Sequence, residues 1–251
     1  MNKDAKSINQ KLNIAINHHK NQKFELAEKL YKEILSINEN HTEAIFYLGT
    51  LYSQLKKFSL AKSFLLKADN LNPNNLNINL NIGSLLFSEG DIDLALKYFD
   101  KVIKIQPNFA QAYFNKGIIL NSKKKYDDAI KSFEKVIEIE PGNINAHNVL
   151  GIILQEIGEY KKSLFYLKKS INISPNNLTV VNTLLNFLRS IKLSNLSENN
   201  SSDLVDLYIF LYNKDTIDHN ELFNNVKNLI FFEEDKIEIE KFFKSEVSLL
   251  S

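Results

Sequence analysis

Apolar residues recur at spacings of three and four along residues 8–191, which is the spacing of amphipathic helices. Stretches of about 14 residues with this spacing alternate with short polar segments. The pattern predicts pairs of helices, each with a first helix, a short turn and a second helix of similar length.

Prolines and small residues repeat on this pattern with a period of 34 residues. The prolines of the chain are Pro73, Pro107, Pro141 and Pro175. Lattice glycines stand at Gly49, Gly83, Gly117 and Gly151, and small residues at Ala27, Ala61, Ala95, Ala129 and Ser163. Because this period is typical of stacked helix–turn–helix arrays, it predicts an all-α solenoid.

The period divides the array into five units and one further helix. The units are residues 8–41, 42–75, 76–109, 110–143 and 144–177, and the extra helix is predicted over 176–191 as a cap. Together they form a predicted array over 1–192. The polar segment 193–202 is predicted to be a linker, followed by a small helical region over 203–251 with helices near 203–213, 218–231 and 233–247.

The repeated positions are predicted to be scaffold. A glycine and an alanine at fixed phases allow the two helices of a unit to approach closely where they cross. Each proline falls just past a second helix, where it ends that helix. An aromatic or branched residue begins each second helix and is expected to fill the gap to its neighbour: Phe24, Phe58, Ile92, Tyr126 and Tyr160.

The second unit combines these features most fully, with Leu48, Gly49, Tyr52, Ala61, Ala68 and Pro73. This combination resembles the tetratricopeptide repeat (TPR) family, which prefers a Leu-Gly pair, a tyrosine three residues on, alanines and a closing proline. The first unit is the most divergent, with Glu39 at the proline phase. The resemblance implies a right-handed solenoid of five TPR units plus a capping helix, with a partner-binding rather than a catalytic role.

Composition excludes several classes of function. Thirty-one Lys and Arg residues balance thirty Asp and Glu residues, for a net charge of +1. This balance argues against nucleic acid or an anionic membrane as the partner. Cysteine is absent, and no phosphate-cradling loop or metal-spaced histidine pair occurs, so neither an enzyme nor a cofactor or metal site is predicted. The polar N-terminus lacks a signal sequence, which predicts a cytoplasmic protein.

Two series on the first helices are candidates for the concave groove. The ladder series, two residues before each lattice glycine phase, is Asn13, Tyr47, Asn81, Asn115, Val149 and Thr183. It resembles the asparagine ladder in the TPR arrays of O-linked N-acetylglucosamine transferases, which implies contacts to the backbone of an extended peptide. An amide both donates and accepts, so it can pair with a peptide group whatever the peptide's side chains.

The adjacent series lies one residue earlier, at Leu12, Phe46, Leu80, Phe114, Asn148 and Asn182. It is apolar in four units and polar in the next two. In the alternative interpretation, its apolar members simply extend the core. Further candidates for the groove include Ser84, Gln111, Asn121, Gln155 and Arg189. Because this face lacks a set of Lys and Arg residues, a carboxylate-binding clamp is disfavoured.

The main hypothesis is a protein-interaction scaffold that binds an extended peptide or a partner helix. The alternative is the N-terminal recruiting domain of a larger glycosyl-, sulfo- or methyltransferase, since TPR arrays are fused to such enzymes in bacteria. The chain's ending at SLLS and its aperiodic C-terminal region favour that alternative. Self-association through incompletely capped apolar ends of the array is a third possibility.

Overall fold

The computed structural model describes residues 3–190 and the single residue Leu211. Residues 3–190 form eleven helices. They are α1 (Lys3–Lys20), α2 (Phe24–Ile37), α3 (Thr42–Gln54), α4 (Phe58–Leu71), α5 (Leu76–Glu89), α6 (Ile92–Ile105), α7 (Ala110–Ser122), α8 (Tyr126–Ile139), α9 (Ile144–Glu156), α10 (Tyr160–Ile173) and α11 (Leu178–Ser190). This confirms the all-α prediction and the paired helices.

Helix boundaries follow the repeat. The five second helices begin at the predicted residues, from Phe24 in α2 to Tyr160 in α10, and the prolines lie just past the ends of α4, α6, α8 and α10. The first unit differs, because α1 begins at Lys3 rather than near residue 8. The segment between these points contains neither Gly nor Pro, so nothing in the backbone ends the helix there.

The chain forms two compact units, Met1–Lys125 and Tyr126–Ser251. In the first, α1 to α7 pack in chain order, and the first helices α1, α3, α5 and α7 also contact one another in succession. In the second, α8 packs on α9, α9 on α10, and α11 contacts both α9 and α10. Both units therefore stack helix hairpins side by side.

Three lattice glycines, Gly49, Gly83 and Gly151, lie where a first helix meets the second helix of the same pair. A Cβ atom at Gly83 would lie 2.8 Å from Cε1 of Phe99, and one at Gly49 would lie 2.9 Å from Cγ of Leu65. At Gly151 the corresponding distance is 2.6 Å, to Leu167. Since real Cβ atoms do not approach other atoms so closely, the predicted reason for glycine at these phases agrees with the packing.

The turn inside each pair contains one residue in the left-handed region. These five residues lie 34 apart: Gln22 (φ 57°), Lys56 (φ 57°), Gly90 (φ 85°), Lys124 (φ 56°) and Gly158 (φ 83°). The following N–H turns back to the end of the first helix, as in the 2.8 Å bond from Lys57 N–H to the Tyr52 carbonyl. This is the Schellman ending of a helix, for which glycine is the favoured residue.

Asparagine side chains cap the N-termini of several first helices. The side-chain oxygens of Asn75, Asn143 and Asn177 accept hydrogen bonds from Ile78, Ala146 and Val180 N–H, at 3.1, 2.9 and 3.4 Å. They are therefore N-caps of α5, α9 and α11.

Asn79 and His147 occupy one phase of the repeat and hold the preceding turn. Asn79 Nδ2 donates to the carbonyls of Pro73 and Asn75, each at 2.8 Å. His147 Nε2 lies 2.9 Å from the Pro141 carbonyl in the equivalent arrangement. Both side chains are buried, so these bonds tie the helix to the turn that carries the lattice proline.

The C-terminal region is represented by one residue. Leu211 is helical and fully buried, and it belongs to the second compact unit. The predicted linker 193–202 and the other residues of the three C-terminal helices lie outside the described residues. Across the described residues, every helix is too short or too polar to cross a membrane.

Candidate functional site

The first compact unit carries four members of the ladder series on its successive first helices. Asn13 is exposed, whereas Tyr47, Asn81 and Asn115 are half-buried. Because neighbouring first helices touch, these positions approach the next helix, and Asn115 Nδ2 lies 3.4 Å from Ser84 Oγ. The fold therefore brings predicted groove residues of α5 and α7 into contact.

A chain of neutral hydrogen bonds crosses this part of the face. Gln111 Nε2 donates to Asn115 Oδ1 at 2.9 Å, and Asn115 Nδ2 donates to Ser84 Oγ. Ser84 in turn donates to the Leu80 carbonyl at 3.0 Å. Asn81 Nδ2 donates to the Asn77 carbonyl within its own helix, at 2.8 Å. Amide groups are thus held in place side by side on the face.

Aromatic residues border these amides in the first unit. The ring of Tyr47 stacks on that of Tyr31, with centroids 6.1 Å apart and planes 8° from parallel, and its centroid lies 5.1 Å from that of Phe46. Phe46, Leu80 and Phe114 are half-buried. Leu12, with 7% of its surface exposed, belongs to the core, so the core interpretation is right for this member of the adjacent series.

His19 packs edge-to-face against Tyr31 of this aromatic cluster. Its Nε2 donates to Gln54 Oε1 at 3.1 Å, and its Nδ1 accepts from the Tyr31 hydroxyl at 3.3 Å. These bonds join α1, α2 and α3. Burial lowers the pKa of His19, against a smaller opposing effect of the hydrogen bond to Gln54, so the neutral ring is the favoured form.

The second compact unit arranges its predicted residues differently. Asn148 is buried, and its Nδ2 donates to Thr183 Oγ1 at 3.3 Å, which joins α9 to α11. Asn148 Oδ1 has no hydrogen-bond partner among the described residues. Asn182 is exposed, whereas Val149 and Thr183 are half-buried.

A cleft of about 430 Å³ opens beside this pair in the second unit. Its walls are Ile152, Gln155 and Glu156 of α9, Tyr160 at the start of α10, and Thr183 and Asn186 of α11. Of these, sequence reasoning selected Gln155 and Thr183 for the groove. It missed Ile152, Glu156 and Asn186, and it assigned Tyr160 only a packing role.

Charged side chains of the first unit pair with one another between helices. Examples are Lys11 with Glu33 at 2.7 Å, Lys62 with Glu89 at 2.9 Å, and Lys101 with Asp69 at 3.2 Å. Every member of the ladder and adjacent series is uncharged. Among the described residues, no group of three His, Asp or Glu side chains is placed to hold a metal ion.

Comparison with known families gives the repeat an independent assignment. Family models of the tetratricopeptide repeat match residues 42–75, 76–109, 110–143 and 144–177. These are the boundaries predicted from the 34-residue period, and together they cover more than half of the chain. No curated protein sequence matches the chain.

Several solved structures have a similar fold. MamA from Desulfovibrio magneticus RS-1 is 21% identical, with a TM-score of 0.61 over 71% of this chain and 99% of that one. YrrB, described as a TPR protein with an unusual peptide-binding site, is 22% identical, with a TM-score of 0.57 over 73% and 98%. The protein TTC0263 from Thermus thermophilus is 15% identical, with a TM-score of 0.59 over 72% and 98%. At these identities the likeness shows the fold alone.

Proposed function

The chain belongs to the tetratricopeptide repeat family, and we propose that it is a protein-interaction scaffold whose first helices bind an extended peptide. Repeats of this family are interaction modules that generally lack catalytic activity. The observation that carries the proposal is the neutral hydrogen-bonded array of Gln111, Asn115 and Ser84, which presents amide and hydroxyl groups on α5 and α7. YrrB, of the same fold, is described as having a peptide-binding site.

The proposed contacts are of two kinds. Asn81 and Asn115 supply amide groups that pair with peptide N–H and C=O groups independently of the ligand's sequence. Phe46, Tyr47 and Phe114 supply half-buried rings against which apolar side chains of the ligand pack. The peptide backbone thus sets the position of the ligand, and the aromatic contacts select among sequences.

The first step of the test is to capture a partner with the full chain and to reduce it to a binding peptide. Asn81→Ala and Asn115→Ala should each weaken binding by about 1 kcal/mol, as expected for loss of a neutral hydrogen bond. Phe114→Ala should weaken it more, because a large apolar anchor is removed. Asn70→Ala, which alters an exposed asparagine on α4, is the matched control and should leave the affinity unchanged.

Titrations at two salt concentrations complete the test. Because the ladder and adjacent series are uncharged, we expect affinity in the first unit to change little with ionic strength. An unchanged affinity in the Asn81→Ala, Asn115→Ala double variant would contradict binding on this face. Affinity that falls strongly with rising ionic strength but is unaffected by these substitutions would also contradict it.

A further inference from the structure

The cleft of the second compact unit has a chemical character that the ladder series lacks. Its described lining residues supply one carboxylate from Glu156, one aromatic ring from Tyr160, and three neutral polar groups from Gln155, Thr183 and Asn186. Ile152, with 39% of its surface exposed, adds an apolar patch. Among these described residues of the wall, Glu156 is therefore the only charged one.

The carboxylate of Glu156 is available for a ligand. The described residues offer it no ion pair, whereas the nearby Glu159 is paired with Lys162 at 3.1 Å. Thr183 gives its hydroxyl hydrogen to the Thr179 carbonyl at 2.9 Å and accepts from Asn148 Nδ2 at 3.3 Å, which leaves one lone pair of its oxygen to accept from a ligand. A carboxylate with an adjoining acceptor matches a group rich in N–H donors.

Tyr160 adds a second feature of the cleft that favours a cationic ligand. A cation above the face of an aromatic ring is attracted by the ring's quadrupole, so tyrosine in a cleft wall favours ammonium or guanidinium groups. The methylene stem of such a side chain would lie against Ile152, which is apolar and exposed.

Arg189 stands at the rim of the cleft, where its guanidinium donates to Asn186 Oδ1 at 3.2 Å. Its charge opposes a cationic ligand, but it is not part of the wall, whereas Glu156 is. Removing each of these two charges should therefore move ligand affinity in opposite directions, which makes the sign of the ligand's charge measurable.

We propose that this cleft binds the cationic side chain of a lysine or arginine in a peptide lying along the first helices of the second unit. The proposal rests on the peptide-binding function above and names one side-chain class that it selects. A volume of about 430 Å³ is at the lower end of the range of ligand pockets, so it admits one long side chain rather than a folded segment.

The test uses the full ¹⁵N-labelled chain and four capped tripeptides of the form acetyl-Gly-X-Gly-amide, where X is arginine, lysine, norleucine or glutamate. The arginine and lysine peptides should shift the backbone amide resonances of Ile152, Gln155, Thr183 and Asn186. Glu156→Gln should weaken their binding about tenfold, as for a hydrogen bond to a charged group. Arg189→Gln should strengthen it.

Glu159→Gln is the matched control, because it removes a neighbouring carboxylate that does not line the cleft, and it should leave the shifts unchanged. Equal shifts with norleucine, preference for the glutamate peptide, or no shift at millimolar peptide would overturn the proposal. Asn81→Ala and Asn115→Ala lie in the first unit and should not alter tripeptide binding. Loss of partner binding in those variants alone therefore tests the proposed function separately from the cleft.

Discussion

The hydroxyl of Ser163 donates a 2.7 Å hydrogen bond to the carbonyl oxygen of Gly151 across the α9–α10 pair. Ser163 is fully buried and occupies the phase that alanine fills in the other four units. The departure from alanine thus keeps the small volume that the helix crossing needs, and it satisfies the added polar group within the pair.

Ser163→Val should destabilise the second compact unit by about 1–3 kcal/mol, because the larger branched side chain overpacks the helix crossing and removes the hydrogen bond. Ser163→Ala restores the residue of the other units and should change stability by only about 1 kcal/mol, the net value of one hydrogen bond. Denaturant unfolding of both variants measures the difference. Equal loss in the two variants would show that the hydrogen bond, rather than volume, matters there.

Gly83→Leu should lower the free energy of unfolding by about 1–3 kcal/mol or more, because even a Cβ atom at this position would meet the ring of Phe99. The loss should spread to neighbouring hairpins, since stability in repeat arrays comes from contacts between neighbours. Gly142→Ala is the control, because a Cβ there meets nothing within 4 Å. A wild-type unfolding midpoint for Gly83→Leu would contradict the proposed packing role.

Lys56→Gly should stabilise the first compact unit by roughly 0.5–1 kcal/mol. Lys56 has a φ of 57°, and this left-handed conformation costs a residue with a Cβ atom more free energy than it costs glycine. Lys56→Ala removes the same side chain but keeps the strained backbone, so it should give no gain. Thermal and denaturant unfolding compare the two. A gain in the alanine variant equal to that of glycine would assign the effect to the charge instead.

Acidification should weaken the first unit through His19. Burial holds its folded pKa below the usual 6.5, so the unfolded chain binds the proton more readily than the folded one. The contribution of the neutral ring is complete above pH 6.5 and falls as the pH drops from there towards the folded pKa. His19→Gln should remove this part of the pH dependence between pH 7.5 and 5.5, whereas His18→Gln should retain it.

Sequence periodicity was sufficient to predict the helical scaffold, because each repeated glycine or proline is required by one local feature of the fold. Gly83 must leave room for Phe99, and Pro107 must follow the end of α6. Such constraints act within one hairpin, so spacing alone reveals them. The matched repeat boundaries from 42 to 177 and the observed helix starts follow from this.

The candidate site was less predictable because side-chain partners depend on neighbouring helices. The phase of Asn148 suggested a surface amide, yet the residue is buried and bonded to Thr183. The left-handed position of the turn is also hidden in the sequence, since Gln22, Lys56 and Lys124 occupy it as well as the two glycines that favour it. Likewise, the cleft exists only because the fold places Glu156 of α9 and Asn186 of α11 in the wall of one cavity.

Deamidation would affect the N-capping asparagines and the turn-holding Asn79 in different ways. Deamidation of Asn75 would turn an acceptor into a better acceptor, because an aspartate at an N-cap also accepts from Ile78 N–H and carries a charge that the helix dipole favours. Deamidation of Asn79 would instead place a carboxylate against the carbonyls of Pro73 and Asn75, where two donated bonds now lie. The same chemical change would therefore preserve the helix cap at Asn75 and break the bonds that hold the turn at Asn79, although the two residues lie only four positions apart.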